Sequence, residues 1–453
     1  MSRHYTLKPA KFQLRFEPSE RASAHGGQMA AAAVVEKFGL WKRVKKARAL
    51  DPRMDRHKGY EPMVYVAAIL FSLTSGGCML EDVEQLNADE ALKALLGVKK
   101  FPDPTAVGEW LRHVGPQGWE ALRRIGRDFV AWSLEQAEPG RYLHAGQMEC
   151  FFDDTQLEVR GRSFEGAQIN YDGNLALGWQ TLWVGPFLVD GVLGYGGMDV
   201  SSELKPLLQA NGRLWKKAGS HLYADSASSA GAYLETVEAH FDSWTVSYNK
   251  WTGPLEQRAE EFPASYWSAP VPVKGRKGEP AVEQYAWLRY QPEGCQGPKQ
   301  FAVARRRSEG ELLWRYGFVA CPDRPAISAQ MIFERHHLKG DRERLFSDVL
   351  RDFDLHHPPC KSLSANRVYY ALALLAYNVL QALKLIWLPV TVQAQRVRTL
   401  IHHLLLVPVE IKRHARRLVA CFYAPAGWLA WWRGFLTELL PRCRLLGALA
   451  PSG

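Results

Sequence analysis

The sequence has few cysteines, and none of them is spaced as disulfide-forming or metal-binding pairs usually are. It contains 7 cysteines among 453 residues, scattered along the chain without a CxxC pair. An odd and unpaired set of this kind is typical of a reducing compartment. These cysteines therefore predict neither a disulfide framework nor a cysteine-rich zinc site.

The sequence also lacks a recognisable targeting signal and an uninterrupted hydrophobic span. The first residues carry charges, but no apolar core follows them, so we expect no secretion signal. Residues 368–392 are apolar enough to span a membrane, yet Asn378, Gln381 and Lys384 lie among them. Because polar side chains are costly at membrane depth, this run predicts a buried helix and no membrane partner.

Positive charge exceeds negative charge in a chain of otherwise ordinary globular composition. Lys and Arg number 57 against 47 Asp and Glu, which gives a net charge of +10, and 47% of residues are hydrophobic. A chain of this length predicts two or three structural units. The surplus of cations favours polyanionic partners, of which nucleic acid is the commonest, although a basic soluble protein without such a partner has the same composition.

Hydrophobic periodicity changes from helical to strand-like at about residue 141. Short helical segments up to residue 140 predict an all-α region for DNA binding or assembly. The segments that follow read as three strands, a helix, a strand, a helix and a strand, which is the order of an RNase H-like core. Residues 251–330, rich in Pro, Gly and Trp, interrupt this pattern and predict a β-rich insertion.

Three acidic residues in these segments are the main candidates for a metal site. In the strand-like stretch 150–159, alternation puts Asp153 on one face with Phe151 and Thr155, while Asp154 lies on the other face. A carboxylate among apolar residues needs a cation, a donor or a metal opposite it. Asp225 directly follows the predicted strand 220–224, and Glu343 lies in a helical stretch. We favour Asp153, but Asp154 is an alternative first acid.

Helical spacing across residues 327–354 predicts one long helix that carries the third acid. Three- and four-residue steps place His336, Lys339, Glu343, Phe346 and Leu350 on one stripe. Asp341 and Asp348 are rivals to Glu343. Lys339 is one turn away and either forms an ion pair with Glu343 or contacts a phosphate.

Basic residues outside this stretch form three further candidate DNA contacts, each of which is otherwise a solvated surface. Two are short clusters in a predicted helix and in the insertion, and the third lies in the C-terminal region 391–453, which is predicted to be helical. The candidates are Lys45 and Lys46, then Arg305, Arg306 and Arg307, then Arg413, Arg416 and Arg417.

With these residues identified, the chain resembles the DDE transposases of bacterial insertion sequences, in particular the group with a tyrosine-arginine-glutamate-lysine helix signature. Asp153-Asp154-Thr155 is similar to the first Asp-x-Thr motif, and Tyr223-Ala224-Asp225-Ser226 to the Ala-Asp-Ser motif. Glu343 and the later Ala376-Tyr377-Asn378 match the third region. The signature positions for tyrosine, arginine and lysine hold His336, Lys339 and Leu350.

The resemblance implies a fold class and a domain organisation. The fold is α/β, an RNase H-like mixed sheet flanked by helices, with a β-rich insertion and helical N- and C-terminal regions. The helical N-terminal region would span 1–140, the catalytic domain 141–250 and 331–390, the insertion 251–330, and the basic helical region 391–453.

The resemblance also implies an activity. Asp153, Asp225 and Glu343 would hold two Mg²⁺ or Mn²⁺ ions, which prefer oxygen ligands. The reaction would be hydrolysis at the ends of a mobile DNA element and joining of the freed 3′ hydroxyls to target DNA. The partners would be double-stranded DNA, at terminal inverted repeats and target sites, and a second copy of the chain, in the bacterial cytoplasm at the nucleoid. The alternative is a catalytically inactive, transposase-derived DNA-binding protein, because the signature positions are altered.

Overall fold

The computed structural model describes residues 19–161, 163–170, 172–199, 201–248, 254–275, 278–323, 326–340, 343–414 and 417–439. The helices in this part of the chain are α1 (Gln28–Phe38), α2 (Leu40–Lys46), α3 (Pro62–Thr74), α4 (Val83–Ala88), α5 (Glu90–Leu96), α6 (Pro104–His113), α7 (Gly115–Gln136), α8 (Leu204–Asn211), α9 (Gly231–His240), α10 (Leu255–Glu260), α11 (Ala329–His337), α12 (Glu343–Ser347), α13 (Leu363–Ala382), α14 (Val390–Gln393), α15 (Val397–Leu400) and α16 (Ala426–Leu439). The strands are β1 (Ala22–Ser23), β2 (Met148–Glu158), β3 (Gln168–Ile169), β4 (Leu175–Val184), β5 (Phe187–Tyr195), β6 (Ser220–Ala224), β7 (Ser243–Ser247), β8 (Val271–Lys274), β9 (Pro280–Tyr290), β10 (Lys299–Ser308), β11 (Arg315–Cys321), β12 (Val409–His414) and β13 (Arg417–Phe422). Turns of π-helix at Asp348–Asp352, Leu383–Trp387 and Ile401–Leu405 extend α12, α13 and α15.

A mixed sheet of ten strands, counted over the described residues, forms the centre of the molecule. Its order is β3-β4-β2-β6-β7-β11-β10-β9-β8, and β5 also pairs with β4. The pairs β2–β4 and β4–β5 are antiparallel, whereas β2–β6 and β6–β7 are parallel. The order β5-β4-β2-β6-β7 is the RNase H-like core that the sequence predicts. The predicted fold class, a mixed sheet flanked by helices, is therefore confirmed.

Helices cover both faces of this sheet next to β4. On one face, Trp179 and Trp183 of β4 contact Phe346 of α12, and Trp179 also meets Tyr370 of α13 edge to face. On the other face, the side chain of Gln180 accepts a hydrogen bond from the backbone at the start of α8. Nearly all of β4 is buried as a result. This explains why its sequence is apolar at almost every position rather than at alternate ones.

The β-rich segment that the sequence predicts as an insertion continues the same sheet. Strand β11 pairs antiparallel with β7 through Val319 opposite Ser247 and Ala320 opposite Val246. The strands β10, β9 and β8 then follow in antiparallel order. Helix α11 packs on β9 and β10 and leads the chain back towards the core.

Helix α13 joins the N-terminal helices to the sheet. It packs against α1, α3, α6 and α7 as well as against β5, so the N-terminal region shares one hydrophobic core with the sheet. The helix from Leu363 to Trp387 is long and apolar enough to cross a membrane, but 89% of its most apolar window is buried inside the protein. The prediction of a buried helix is confirmed.

Two predicted helical segments differ in the structure. The stretch 327–354 is not one helix: α11 ends at His337, Leu338 and Lys339 form a turn, and α12 begins at Glu343. Gly340 lies in this break. Glycine is disfavoured in the interior of a helix, which is consistent with an interruption here. The predicted stripe from His336 to Leu350 is therefore not formed.

The C-terminal region is only partly helical, contrary to the prediction. Strands β12 and β13 form an antiparallel hairpin, and β1 pairs with β12. Val409 and Ile411 are buried while Lys412 is exposed, so the apolar residues recur every second position. A period of two is that of a strand, and the many cations of this region obscure it in the sequence.

A buried ion-pair network connects α7, β5 and the end of α8. Asp190 of β5 is 1% exposed and accepts hydrogen bonds from Arg123 Nε at 2.7 Å and Arg127 Nη1 at 3.0 Å. Asn211 Nδ2 donates to the same carboxylate at 3.2 Å. Glu120 of the same helix also pairs with both arginines, but it is 42% exposed, so loss of the Asp190 carboxylate would remove their only buried counter-charge among the described residues.

We predict that Asp190→Asn lowers the free energy of unfolding by about 3–5 kcal/mol, because it removes one partner of a buried ion pair. Urea unfolding followed by circular dichroism measures this loss. The control is Lys58→Ala, since the Lys58–Asp55 pair is exposed, with 3.9 Å between its charged atoms. It should change stability by less than about 1 kcal/mol. Equal losses in the two variants would contradict the role of Asp190.

Candidate active site between β2 and β6

Parallel pairing of β2 with β6 brings two of the predicted acids to the same level of the sheet. The register places Phe151 opposite Tyr223 and Phe152 opposite Ala224. Asp153 and Asp225 are the next residues on the two strands. Neighbouring strands lie about 4.8 Å apart, so the two carboxylates arise from adjacent points of the backbone.

Asp153 and Asp225 line one pocket of about 270 Å³. Its walls come from β2, β4, the end of β6, the turn after α11, and α12. The lining residues are Phe151, Phe152, Asp153, Trp183, Asp225, Lys339, Leu345 and Phe346. The pocket is mainly apolar, and its polar groups are two carboxylates and one ammonium.

Asp225 is held in place by the turn that follows β6. Its side chain accepts a hydrogen bond from the backbone N–H of Ala227 at 3.0 Å. Lys339 Nζ lies 3.9 Å from Asp225 Oδ2, with the side chains 23% and 36% exposed. Helical spacing predicts Glu343 or a phosphate as the partner of Lys339; in the structure the described partner is Asp225. A partly exposed pair of this kind contributes at most about 1 kcal/mol, so Lys339 remains able to meet a ligand phosphate.

Asp154, the alternative first acid, lies on the opposite face of β2 in an environment of like charge. Its Oδ1 atom is buried without a hydrogen-bond partner. Burial, followed by the nearby carboxylates of Asp225, Asp153 and Asp199, raises the pKa of Asp154 to about 7. Carboxylates this close repel one another, and a divalent cation would relieve that repulsion. The clustered carboxylates of Asp153 and Asp225, which share the pocket, therefore fit a hard divalent ion.

Helix α12 places the backbone of the third predicted acid at this pocket. Glu343 is the first residue of α12, and Leu345 and Phe346 of the same helix line the pocket. The side chain of Glu343 lies outside the described residues, as does Asp341, one of its rivals. The other rival, Asp348, is buried, with its Oδ1 atom 3.1 Å from Arg396 Nε, so it already has a counter-charge.

His336 is not at the surface, contrary to its prediction as a DNA contact. It is buried, and its ring nitrogens lie 3.0 Å from Thr245 Oγ1 and 2.7 Å from Ser247 Oγ. Burial, with smaller contributions from Lys339 and His337, lowers the pKa of His336 to about 4. A buried, neutral imidazole whose two nitrogens are both hydrogen-bonded within the protein cannot bind a phosphate. It joins α11 to β7 and thereby positions the turn that carries Lys339.

The predicted basic run on β10 is engaged within the protein. Arg305 lies over Trp267 and Trp314, at 4.2 Å and 4.4 Å from the ring centroids. Arg307 lies over Trp314 at 4.4 Å, and Arg306 donates to the backbone carbonyl of Lys274. These contacts hold the loop between β10 and β11. Contact of the three arginines with DNA stays a prediction.

The remaining predicted DNA contacts are spread over the N- and C-terminal regions. Lys45 and Lys46 are exposed at the end of α2. Arg413 lies on β12 and Arg417 on β13, but their side chains, and Arg416 entirely, fall outside the described residues. These contacts also stay predictions.

Two supporting contacts were not predicted from the sequence, although Glu165-Gly166-Ala167 is similar to a tripeptide of the family. Glu165 accepts hydrogen bonds from Ser362 Oγ at 3.0 Å and from the backbone N–H of Leu363 at 2.9 Å, so it caps α13 from a distant loop. Asp199 accepts from Tyr233 Oη at 2.9 Å and lies near Asp154. Neither contact has a local signal, since the two partners are distant in the sequence.

We predict that His336 makes the protein less stable in acid. The folded form keeps this histidine neutral, so stability is fully present above the unfolded pKa of 6.5 and is lost as pH falls towards 4. The loss attributable to His336 is roughly 3 kcal/mol over that range. Urea unfolding at several pH values should show a shallower acid decline in His336→Phe than in the parent. The exposed control His402→Ala should keep the parent's decline; a decline unchanged in His336→Phe would refute the assignment.

Comparison with known sequences agrees with this geometry. The family described as "Transposase DDE domain group 1" matches residues 194–430, just over half of the 453-residue chain. The match includes Asp225 and Glu343 and begins beyond Asp153. No curated protein matches the chain. Since the match covers more than half of the sequence, the sheet has the RNase H-like order and two acids share a pocket, the chain belongs to the DDE transposase family.

Proposed function

We propose that this protein cuts the ends of a mobile DNA element and joins them to target DNA. Membership of the family indicates a transposase that cuts and joins nucleic acid. The observation that carries the finer proposal is the in-register placement of Asp153 and Asp225 in one pocket, with α12 at its edge. The reaction is phosphodiester hydrolysis followed by attack of the freed 3′ hydroxyl on the target.

DDE transposases generally use divalent metal ions, and the oxygen donors here fit them. In the proposal, Asp153, Asp225 and Glu343 hold two Mg²⁺ or Mn²⁺ ions. Such ions lower the pKa of a water or hydroxyl nucleophile and stabilise the leaving oxygen.

The other pocket residues bind and orient the DNA strand. The ammonium of Lys339, next to Asp225, would contact a phosphate oxygen beside the scissile bond. The apolar walls formed by Phe151, Trp183, Leu345 and Phe346 limit access of bulk water. In such surroundings the attraction between Lys339 and a phosphate is stronger than in water.

The partners follow from the proposed reaction. Double-stranded DNA, at terminal inverted repeats and at the target, would contact the basic surface of a chain with net charge +10. Lys45 and Lys46, the arginines of β10, and Arg413, Arg416 and Arg417 are the proposed backbone contacts. Two ends must be cut together, which requires a homodimer in the DNA complex. The site of action would be the bacterial cytoplasm, at the nucleoid.

We predict that Asp225→Asn abolishes magnesium-dependent cleavage of a plasmid that carries the DNA flanking the gene. The metal ions would stabilise the transition state by several kcal/mol. Loss of one of their ligands should therefore slow strand cleavage roughly 1000-fold. Gel analysis of nicked and linear products measures the rate. The control is Asp323→Asn, which removes an exposed acid that pairs with Arg289 at 3.8 Å, and it should cleave like the parent. A parent that binds this DNA but never cuts it would support the inactive DNA-binding alternative.

The same assay distinguishes the two candidates for the first acid. Because Asp153 lines the pocket with Asp225 and Asp154 lies on the other face of β2, Asp153→Asn should lose cleavage as Asp225→Asn does. Asp154→Asn should retain it within about tenfold, a change of no more than about 1.4 kcal/mol in the barrier. The opposite pattern would assign the ligand to Asp154.

A further inference from the structure

Three side chains converge in the turn between the segment that begins at Glu343 and helix α13. They are Asp354, His356 and His357, and one donor atom from each lies within 4.8 Å of the others. His356 Nε2 is 3.3 Å from Asp354 Oδ1, and His357 Nδ1 is 2.9 Å from the same oxygen. Ligand atoms on a tetrahedral ion with bonds of about 2.0–2.1 Å lie roughly 3.3 Å apart. The two spacings to Asp354 Oδ1 are close to that value.

The backbone fixes His356 in the tautomer that a metal ligand requires. Its Nδ1 atom lies 2.7 Å from the carbonyl oxygen of Leu350, so Nδ1 carries the proton and donates it. The lone pair of the neutral ring is then on Nε2, which faces Asp354. Metal-binding histidines characteristically donate their other ring N–H to a carbonyl or a carboxylate in this way.

Asp354 occupies a backbone conformation that side chains seldom adopt. Its φ angle is 54°, in the left-handed region. The N–H of His357 donates to the carbonyl of Asp354 at 3.0 Å, which closes the turn. Such a conformation costs about 1–3 kcal/mol and usually persists where it serves a local purpose. Here it brings one carboxylate oxygen close to a ring nitrogen of each histidine, and the two ring centroids are 4.1 Å apart.

Ordinary ion pairing accounts for this arrangement only in part. Both rings approach the same carboxylate oxygen, and Nε2 of His356 lies 3.3 Å from it. Two acceptors at this distance repel each other unless a proton or a cation lies between them. A metal ion would turn all three contacts into favourable ones.

We propose that Asp354, His356 and His357 form a transition-metal site, with Zn²⁺ as the ion of best fit. Two imidazole nitrogens and one carboxylate oxygen suit zinc, whereas the oxygen donors at Asp153 and Asp225 suit magnesium. Water completes the coordination, since the site opens to solvent. The site is separate from the proposed catalytic centre and does not depend on the proposed function.

Zinc at this position would stabilise the turn that follows the segment carrying Glu343. Leu350, the acceptor of the His356 hydrogen bond, belongs to the π-helical turn Asp348–Asp352 that extends α12. Two contacts already restrain this turn on its other side, from Arg396 to Asp352 at 2.7 Å and to Asp348 at 3.1 Å. The metal would add a restraint at its C-terminal end.

Calorimetric titration of the full chain with Zn²⁺, in excess Mg²⁺ to occupy oxygen-only sites, tests the proposal. The parent should bind a single equivalent of zinc. The variants His357→Gln and Asp354→Asn each remove a proposed ligand. Each should weaken zinc binding by more than the roughly 10- to 100-fold cost of losing a supporting hydrogen bond. The side chain of His357 is 68% exposed, so its replacement should not disturb the fold. The adjacent histidines His402 and His403 provide a matched control, and His402→Ala should bind zinc like the parent.

Thermal unfolding gives a second and independent measurement. Zinc should raise the melting temperature of the parent and of His402→Ala, because a ligand that binds only the folded state stabilises it, and should leave that of Asp354→Asn unchanged. The proposal is overturned if the parent binds no zinc, or if Asp354→Asn and His357→Gln bind it with the parent's affinity. Neither outcome changes the result expected for DNA cleavage by Asp225→Asn. The zinc site and the proposed function can therefore be refuted independently.

Discussion

The parallel pairing of β2 and β6 is the interaction on which the candidate active site depends. A register shift of one residue would move Asp153 to the other face of the sheet, because side chains alternate along a strand. The register is maintained by buried residues on both strands, including the stacked rings of Phe151 and Tyr223, whose centroids are 4.8 Å apart. Hydrophobic packing thus determines where the carboxylates lie, although it contributes nothing to their chemistry.

The helices above the sheet complete the site from distant parts of the chain. Phe346 packs on Trp179 and Trp183 and so holds α12 at the pocket. Helix α13 lies behind it, capped by Glu165 from the loop after β2. Next to β7, His336 joins α11 to this strand through Thr245 and Ser247 and so positions the turn with Lys339. The aromatic contacts and the two polar anchors therefore act together on one pocket.

Charge in this region is unevenly distributed. Asp154 carries a raised pKa because burial and neighbouring carboxylates disfavour its charged form. Lys339 is the only cation that lines the pocket among the described residues. The other described basic residues predicted to contact DNA lie elsewhere, on α2, on β10 and on the strands β12 and β13. Carboxylates in the pocket suit divalent cations, and cations elsewhere on the surface suit a polyanion.

Much of the core and the positions of two acids could be read from the sequence. Strand periodicity, the chain order of strands and helices, and the motifs at Asp153 and Asp225 indicated the sheet, and β6 occurs at the predicted residues. These signals are local, because a strand or helix repeats its apolar residues with its own period. Local signals were misleading at Gly340 and in the hairpin of β12 and β13, where a break and a high density of cations obscured the pattern.

Tertiary structure alone decided which polar groups meet. The burial of His336 between Thr245 and Ser247, the pairing of Lys339 with Asp225, and the capping of α13 by Glu165 all join residues far apart in sequence. The convergence of Asp354, His356 and His357 depends on one left-handed backbone angle, which the sequence does not reveal. Sequence determined the elements and the chemistry available on them, because both are properties of short segments. The fold decided which of these groups meet, because that depends on how the segments pack.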